Sequence, residues 1–272
     1  MKSVVAALSV ALPLLLAVAQ QQPSTPRGNW PCGGRLDASY FQVAEGTGGH
    51  LLLLSPEEIG DADSTTLLTA FGSHRQTIFR LAGSLTPGPH DFHVPIDSSV
   101  ESVLFSVSVQ CLHTVDVVRP SGLPASGEGV KDLSNFRAER MVIVTRPEPG
   151  IWTVSVSGSG VAGVVVQART AIGISDVQFA PGQSVNFTAI PSAGTENVVR
   201  LRLGGQLQDV QASLVSGVFA PIAKLPLEIN ESDGFYRSHF TPGRDGFRVL
   251  VVGKDSDGNV VQRMYAPLMT AR

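Results

Sequence analysis

Most of this chain alternates apolar and polar side chains with a period of two. Val103, Phe105, Val107, Val109 and Cys111 alternate with Ser106, Ser108 and Gln110, which predicts a strand with one buried face. Val115 and Val117 lead to a turn at Pro120-Ser121-Gly122, and Met141 to Val144 makes a further strand. In "PEPGIWTVSVSG" a Pro-Gly turn launches a strand with Trp152, Val154 and Val156 on one face and Thr153, Ser155 and Ser157 on the other. Val161 to Val166 completes this set, so residues 86–169 read as one antiparallel sandwich or jelly roll with Trp152 as a core anchor.

A second all-β unit is expected over residues 170–272. Val185, Phe187 and Ala189 alternate, as do Val199, Leu201 and Leu203 against outward Arg200 and Arg202. Asp233-Gly234, Asp245-Gly246 and Asp257-Gly258 recur at even spacing and separate "FYRSHF", "FRVLVVG" and "VVQRMYAPL". Asp-Gly supplies positive φ at turns, and about seven strands fit this region, as a second sandwich requires. The fold class is therefore mainly β, with two consecutive antiparallel β-sandwiches.

The front of the chain breaks the pattern. Met1-Lys2-Ser3, apolar Val4 to Ala19 and the A-x-A site Ala17-Val18-Ala19 read as a secretory leader over residues 1–19. Residues 20–37, rich in Gln, Pro and Gly, read as a loose tail. Within residues 38–85, His50 to Leu54 is apolar without alternation, which suits a strand covered on both faces. Ser55-Pro56-Glu57-Glu58 is a capping box with proline at the first helical position. Leu67, Leu68 and Phe71 continue a helix to about Gly72, with further turns through Ile78 and Leu81, until Thr86-Pro87-Gly88-Pro89 breaks it and marks a domain boundary.

The apolar leader is shorter than the roughly 20 residues that span a bilayer, and the chain ends in polar Met269 to Arg272, so no membrane anchoring is expected. A net charge of −3 argues against nucleic acid and anionic membrane as partners. Arg137, Arg140 and Arg146 are weighed as a heparin patch, with a solvated strand face favoured. Two cysteines exclude a disulfide scaffold: Cys32 and Cys111 either form one bridge or leave Cys111 as a buried thiol in its strand. Asn186-Phe187-Thr188 and Asn230-Glu231-Ser232 are N-glycosylation sequons, at Asn186 and Asn230, and they suit an extracellular location.

Sites for chemistry are sparse. His90-Asp91-Phe92-His93 offers two imidazoles where zinc needs further ligands. "DSDGN" at Asp255 to Asn259 has its glycine too early for an EF-hand loop and no closing glutamate, so it reads as a hairpin turn. There is no G-x-S-x-G string, and His50, His74, His113 and His239 are isolated. Gly46 to Gly49 precedes a strand instead of linking a strand to a helix, so it is no phosphate loop. No catalytic residue, metal ligand or cofactor is assigned, and no enzymatic activity is expected.

"GTGGHLLLLSPEEI" resembles the last strand and helix of a von Willebrand factor A domain, as in hemicentins and the von Willebrand factor A domain-containing protein 7 group. "VPIDSSVESVLFSVS", "VVRPSG", "PEPGIWTVSVSGSG" and "VVGKDSDGNVVQR" resemble the region that follows it there. The resemblance implies a galactose-binding-like sandwich over residues 86–169, an immunoglobulin-like sandwich over 170–272, and residues 38–85 as the C-terminal remnant of the A domain. A complete A domain takes on the order of 180 residues, against roughly 65 here, so most of it is missing. The family's metal motif is D-x-S-x-S; Asp97-Ser98-Ser99-Val100-Glu101 departs from it at Glu101, and no ligand is carried over. The resemblance implies a secreted, non-catalytic adhesion or matrix protein whose partners are extracellular proteins and matrix components. Two other readings stand beside it: a carbohydrate-binding module, and a fragment without independent role whose Leu51 to Leu54 run is exposed.

Overall fold

A computed structural model describes residues 4–9, 15–20, 32, 36–55, 58–59, 75–230 and 233–272. In chain order the elements are β1 (Val4–Ser9), β2 (Leu15–Gln20), α1 (Ala38–Thr47), β3 (His50–Leu51), β4 (Arg75–Ile96), β5 (Val100–Val118), β6 (Val130–Asn135), β7 (Glu139–Thr145), β8 (Gly150–Thr170), β9 (Gly173–Pro181), β10 (Asn197–Gly204), β11 (Gln208–Val215), β12 (Pro221–Leu225), β13 (Glu228–Asn230), β14 (Phe235–Phe240), β15 (Arg248–Lys254) and β16 (Val260–Met264). The chain is almost entirely strand, in a tandem β-sandwich arrangement with a short helix and strand ahead of it. All named strand pairs are antiparallel: a nine-stranded ladder β12-β11-β15-β16-β4-β8-β5-β7-β6, a four-stranded sheet β13-β14-β10-β9, and β2-β1-β3.

The first sandwich is one ladder folded over on itself. A strand as long as β4, 22 residues, would extend roughly 70 Å if straight. Yet Ile78 from its start and Val94 from its end share one core, as do Val103 and Val117 of β5 and Trp152 and Val166 of β8. Bulges make the bend: register shifts lie between Leu85 and Gly88 in β4, and between Val109 and Cys111 and between Leu112 and Thr114 in β5. Opposite them, Gly158 lies so close to β5 that an added Cβ would stand 2.6 Å from the Cys111 carbonyl oxygen, and Gly160 sits at φ 86°. Thr86 to Pro89 therefore bends a strand instead of ending a helix. The bulged turn tolerates the missing proline N–H, and the ladder resumes beyond it. The helical turns expected through Ile78 and Leu81 are strand, both side chains buried, so the sandwich begins at Arg75 and not at residue 86.

The second sandwich packs β9, β10 and β14 against β11, β15 and β12. Val199 and Leu201 face Val249 and Val251, and Phe179, Phe240 and Phe247 meet edge to face at 5.5 to 6.1 Å. Arg200 and Arg202 point away from that core, as the alternation requires. The strand expected at Val185 to Ala189 is a loop bridged to the sheet at Phe179–Thr188; Val185 is exposed, and Phe187 folds over the Arg200 guanidinium at 3.9 Å. The two sandwiches share the ladder through one pairing, Met264 with Thr77.

The leucine run is not a strand of a parallel sheet. His50–Leu51 pairs antiparallel with β1, and Leu52 to Leu54 continue, extended, across the outer face of the first sandwich. Leu52 and Leu54 pack on Leu104 and Met141, while Leu53 faces Ala138, Leu36 and Tyr40, so all three leucines are buried. Under this strap Ser106 and Ser108, on the polar row of β5, are buried rather than outward. Ser55 and Glu58 form the reciprocal capping box: the Ser55 N–H donates to Glu58 Oε2 (2.7 Å) and the Glu58 N–H to Ser55 Oγ (3.2 Å). The helix expected onward to Gly72, and most of the tail over 20–37, lie outside the described residues. The stretch read as a leader forms the β1–β2 hairpin in its described parts.

Candidate functional site

Buried charges gather where strap, first sandwich and second sandwich meet. Asp37 caps α1 by accepting the Ser39 N–H (2.9 Å), and the helix ends at Gly48 in the left-handed region, against Ala266. Glu45, in the last turn, places one carboxylate oxygen on Arg80 of β4 (2.6 Å) and the other on Arg248 of β15. Arg80 also donates to the carbonyls of Ala44 (3.2 Å), Gly48 (3.0 Å) and Gly49 (2.6 Å), a cation at the negative end of the helix. Arg248 donates to Ala266 O (2.9 Å) and Gly217 O (3.4 Å). Burial pulls the Arg248 guanidinium down to about 10 against the pull of Glu45, so it stays charged at neutral pH. Three segments far apart in sequence are pinned by one carboxylate.

A second pin uses the two strings considered for metals. Asp97-Ser98-Ser99 is the hairpin turn between β4 and β5; Asp255 opens the turn between β15 and β16. The turns join directly, because the Ser98 N–H (3.0 Å) and hydroxyl (2.8 Å) donate to Asp255 Oδ2. Asp255 also accepts the Asp257 N–H (3.0 Å) and the Asn259 N–H (2.8 Å), so its oxygens are saturated by donors and "DSDGN" is a hairpin turn with Gly258 at φ 83°. Beside it Arg263 pairs with Asp97 at 2.8 Å, both fully buried, and donates to Ile172 O (2.7 Å) and Thr170 Oγ1 (3.1 Å) in the link between sandwiches.

The remaining candidates do not converge. Cys32 and Cys111 lie together, Cα to Cα 4.7 Å, within reach of a bridge. Cys111 is half-buried and lies outside the core cluster that includes Val103 to Val109. Asn186 is exposed in its loop; Asn230 ends edge strand β13, register partner of Phe235. His90 reaches Thr86 O (2.9 Å) and His93 reaches Thr153 (3.2 Å), on opposite sides of their strand. Arg137 and Arg146 flank opposite ends of β7, and Arg140 pairs with Asp132 at 3.1 Å, so the three form no patch. His74 lies outside the described residues. Among the described residues no cluster of three or more His, Cys, Asp or Glu is placed to hold a metal, and no helix is long and apolar enough to cross a membrane. A cleft lined by Phe41, Glu45, His50, Arg80 and Ser106 encloses about 10 Å³, one water's worth.

No family model matches the chain. It shares a distant, partial similarity with mouse (Mus musculus) hemicentin-1: 27% identity over 187 residues, 63% of this chain and 3% of that much longer protein. Among solved structures, the lipase BlEst2 of Bacillus licheniformis in propeptide form covers 70% of this chain and 40% of its own, at 11% identity and a TM-score of 0.37. The N-terminal Ig1-2 module of the Drosophila receptor protein tyrosine phosphatase DLAR covers 69% of this chain and all of its own, at 13% identity and a TM-score of 0.26. Such scores carry no argument about function.

Two titratable groups lie under the strap. His50 donates from Nε2 to Gln167 Oε1 (3.0 Å); burial first, then Arg80, pull its pKa down to about 3. A His depressed in the fold contributes stability that is present above about 6.5 and lost as pH falls toward 3. Glu139 has the opposite sign, since burial, reinforced by Glu58 and opposed by the Ser134 hydroxyl, pushes it up to about 8. Between pH 6.5 and 4.5 the two therefore offset each other. Relative to the parent, His50→Gln is expected to gain stability as pH falls through that range, by up to about tenfold in the folding constant per unit, in urea titrations at each pH. A pH-independent difference would rule out a neutral buried His50. The buried charges of both pins were missed from the sequence, although Arg80, Arg248 and Arg263 each interrupt an apolar strand and so signal a buried partner.

Proposed function

We propose that this chain is a secreted, non-catalytic adhesion or matrix-type module that acts through its outer surfaces on extracellular protein partners. The observation that carries the reading is the use of the buried ionic groups: one pin ties α1 to both sandwiches, the other ties the sandwiches to each other, and the cleft beside the first is too small for a substrate. The distant similarity to hemicentin-1 supports it. A lectin reading gains no platform from Trp152, which is fully buried with the Arg119 guanidinium over its ring. The fragment reading loses its liability, because the leucine run is covered.

The test is to present the purified secreted chain to immobilised extracellular matrix proteins, to heparin and to a glycan array, beside assays for ester and glycoside hydrolysis. Saturable binding to a matrix protein with blank arrays and no turnover is expected; turnover above the chemical background overturns the reading. The same location makes Cys32 and Cys111 a disulfide and Asn186 and Asn230 glycan carriers. Peptide mapping without reductant should recover the linked pair, and two alkylated thiols would exclude it. A mass decrease on enzymatic deglycosylation checks the sequons.

A further inference from the structure

Arg75 departs from the way the other buried arginines are held. Arg80, Arg248 and Arg263 each meet a carboxylate and at least one carbonyl oxygen. Arg75, the first residue of β4, is half-buried, and its Nη1 is fully buried without a hydrogen-bond partner. No carboxylate among the described residues pairs with it. A buried donor in that state calls for a water or an ion as its acceptor.

The neighbour of Arg75 decides between the two. Arg169 of β8 is its register partner. Such partners share a face with Cβ atoms about 5 Å apart, and like charges placed so destabilise the ladder. Arg169 has a carboxylate of its own, because its Nε reaches Glu101 Oε2 at 3.1 Å in a largely exposed pair. Arg75 is left as the uncompensated cation. Burial first, then the charge of Arg169, pull its guanidinium below the usual arginine range, yet a guanidinium does not shed its proton near neutral pH. A water would satisfy Nη1 but leave the repulsion in place; an anion removes both penalties.

The row continues to a third donor. Ser102 of β5 is in register with Arg169, so Arg75, Arg169 and Ser102 stand side by side on adjacent strands. They lie on the outer face of the first sandwich, beside the row of Thr77, Gln167 and Leu104 on which His50 and Leu52 of the strap rest. A planar carboxylate offers two oxygens to donors on three strands, whereas a tetrahedral oxyanion offers four, and guanidinium forks match it well. We propose that Arg75, Arg169 and Ser102 form a binding site for a tetrahedral oxyanion, sulfate or phosphate, free or carried as an ester. The site is separate from both ionic pins, and it can fail while the matrix-module reading stands.

Titration calorimetry of the full chain with sodium sulfate and with sodium phosphate, against sodium chloride at equal ionic strength, tests this. One saturable oxyanion per chain is expected. Arg75→Gln should weaken binding by about tenfold or more, as loss of a charged hydrogen-bond donor does. Glu101→Gln removes the carboxylate that competes for Arg169 and should tighten binding, which a purely structural role for Arg75 would not produce. Urea denaturation gives a second readout. In chloride Arg75→Gln should be at least as stable as the parent, since repulsion is relieved, and in sulfate the parent should gain more than the variant. No saturable binding, or equal binding by the parent and Arg75→Gln, overturns the site. A sulfated disaccharide beside its unsulfated form separates the sources: tighter binding than free sulfate assigns the site to an ester, and weaker binding assigns it to the free ion.

Discussion

Replacing Glu45 with alanine is expected to destabilise the protein by about 3–5 kcal/mol, measured by urea denaturation at neutral pH. The cost comes from what remains. Arg80 and Arg248 are both almost wholly buried, and without Glu45 they would face each other as like charges with only carbonyl oxygens for company. Glu45→Gln keeps the volume and some hydrogen bonding but removes the charge, so it should lose nearly as much. Replacing all three residues together with apolar side chains of similar volume should recover most of the loss, because the desolvation of two guanidiniums is then no longer required. If Glu45→Ala falls within about 1 kcal/mol of the parent, the carboxylate is not the pin described here.

The same triad shows what one sequence does and does not reveal. The rows Trp152, Val154, Val156 and Val199, Leu201 were legible because each strand has one face in a core, and a period of two records that directly. Turn chemistry at Asp233-Gly234 and Asp257-Gly258 was legible because positive φ selects residue type locally. Bends were not: Thr86 to Pro89 carries the composition of a strand terminator, and only the pairing of β4 with β8 on both sides of it shows a bulge. α1 was missed because its apolar stripe is little more than Tyr40, Phe41 and Ala44, although Asp37 and Gly48 mark its ends. The leucine run correctly reported cover on both faces, but cover by a sandwich and by α1 leaves the same local signature as cover in a parallel sheet. The pins lie beyond local pattern altogether, since Glu45 and Arg248 are 203 positions apart.

Asp97→Ala is expected to release the second pin at a similar cost, about 3–5 kcal/mol, because Arg263 would be left buried without its carboxylate. Its signature should differ from that of Glu45. Asp97 and Arg263 hold the turn of one sandwich and the link at Ile172 to the other, so in calorimetry Asp97→Ala should separate the melting of the two sandwiches. Neighbouring Asp255 provides the acid counterpart. Burial alone would raise its carboxyl, but hydrogen bonds from Ser98 and Asn259 outweigh burial and hold it at about 2. A depressed carboxylate contributes stability that is present above about 4 and lost as pH falls toward 2, so Asp255→Asn should flatten the acid limb of the stability profile in that window. Because Ser98 donates to Asp255 across the joint, acid should also weaken the same joint that Asp97→Ala loosens, through a different contact. Melting in one transition at the parent's temperature in both variants would mean that the ladder at Met264 and Thr77 and the Phe79–Phe219 contact at 4.6 Å couple the sandwiches without either turn.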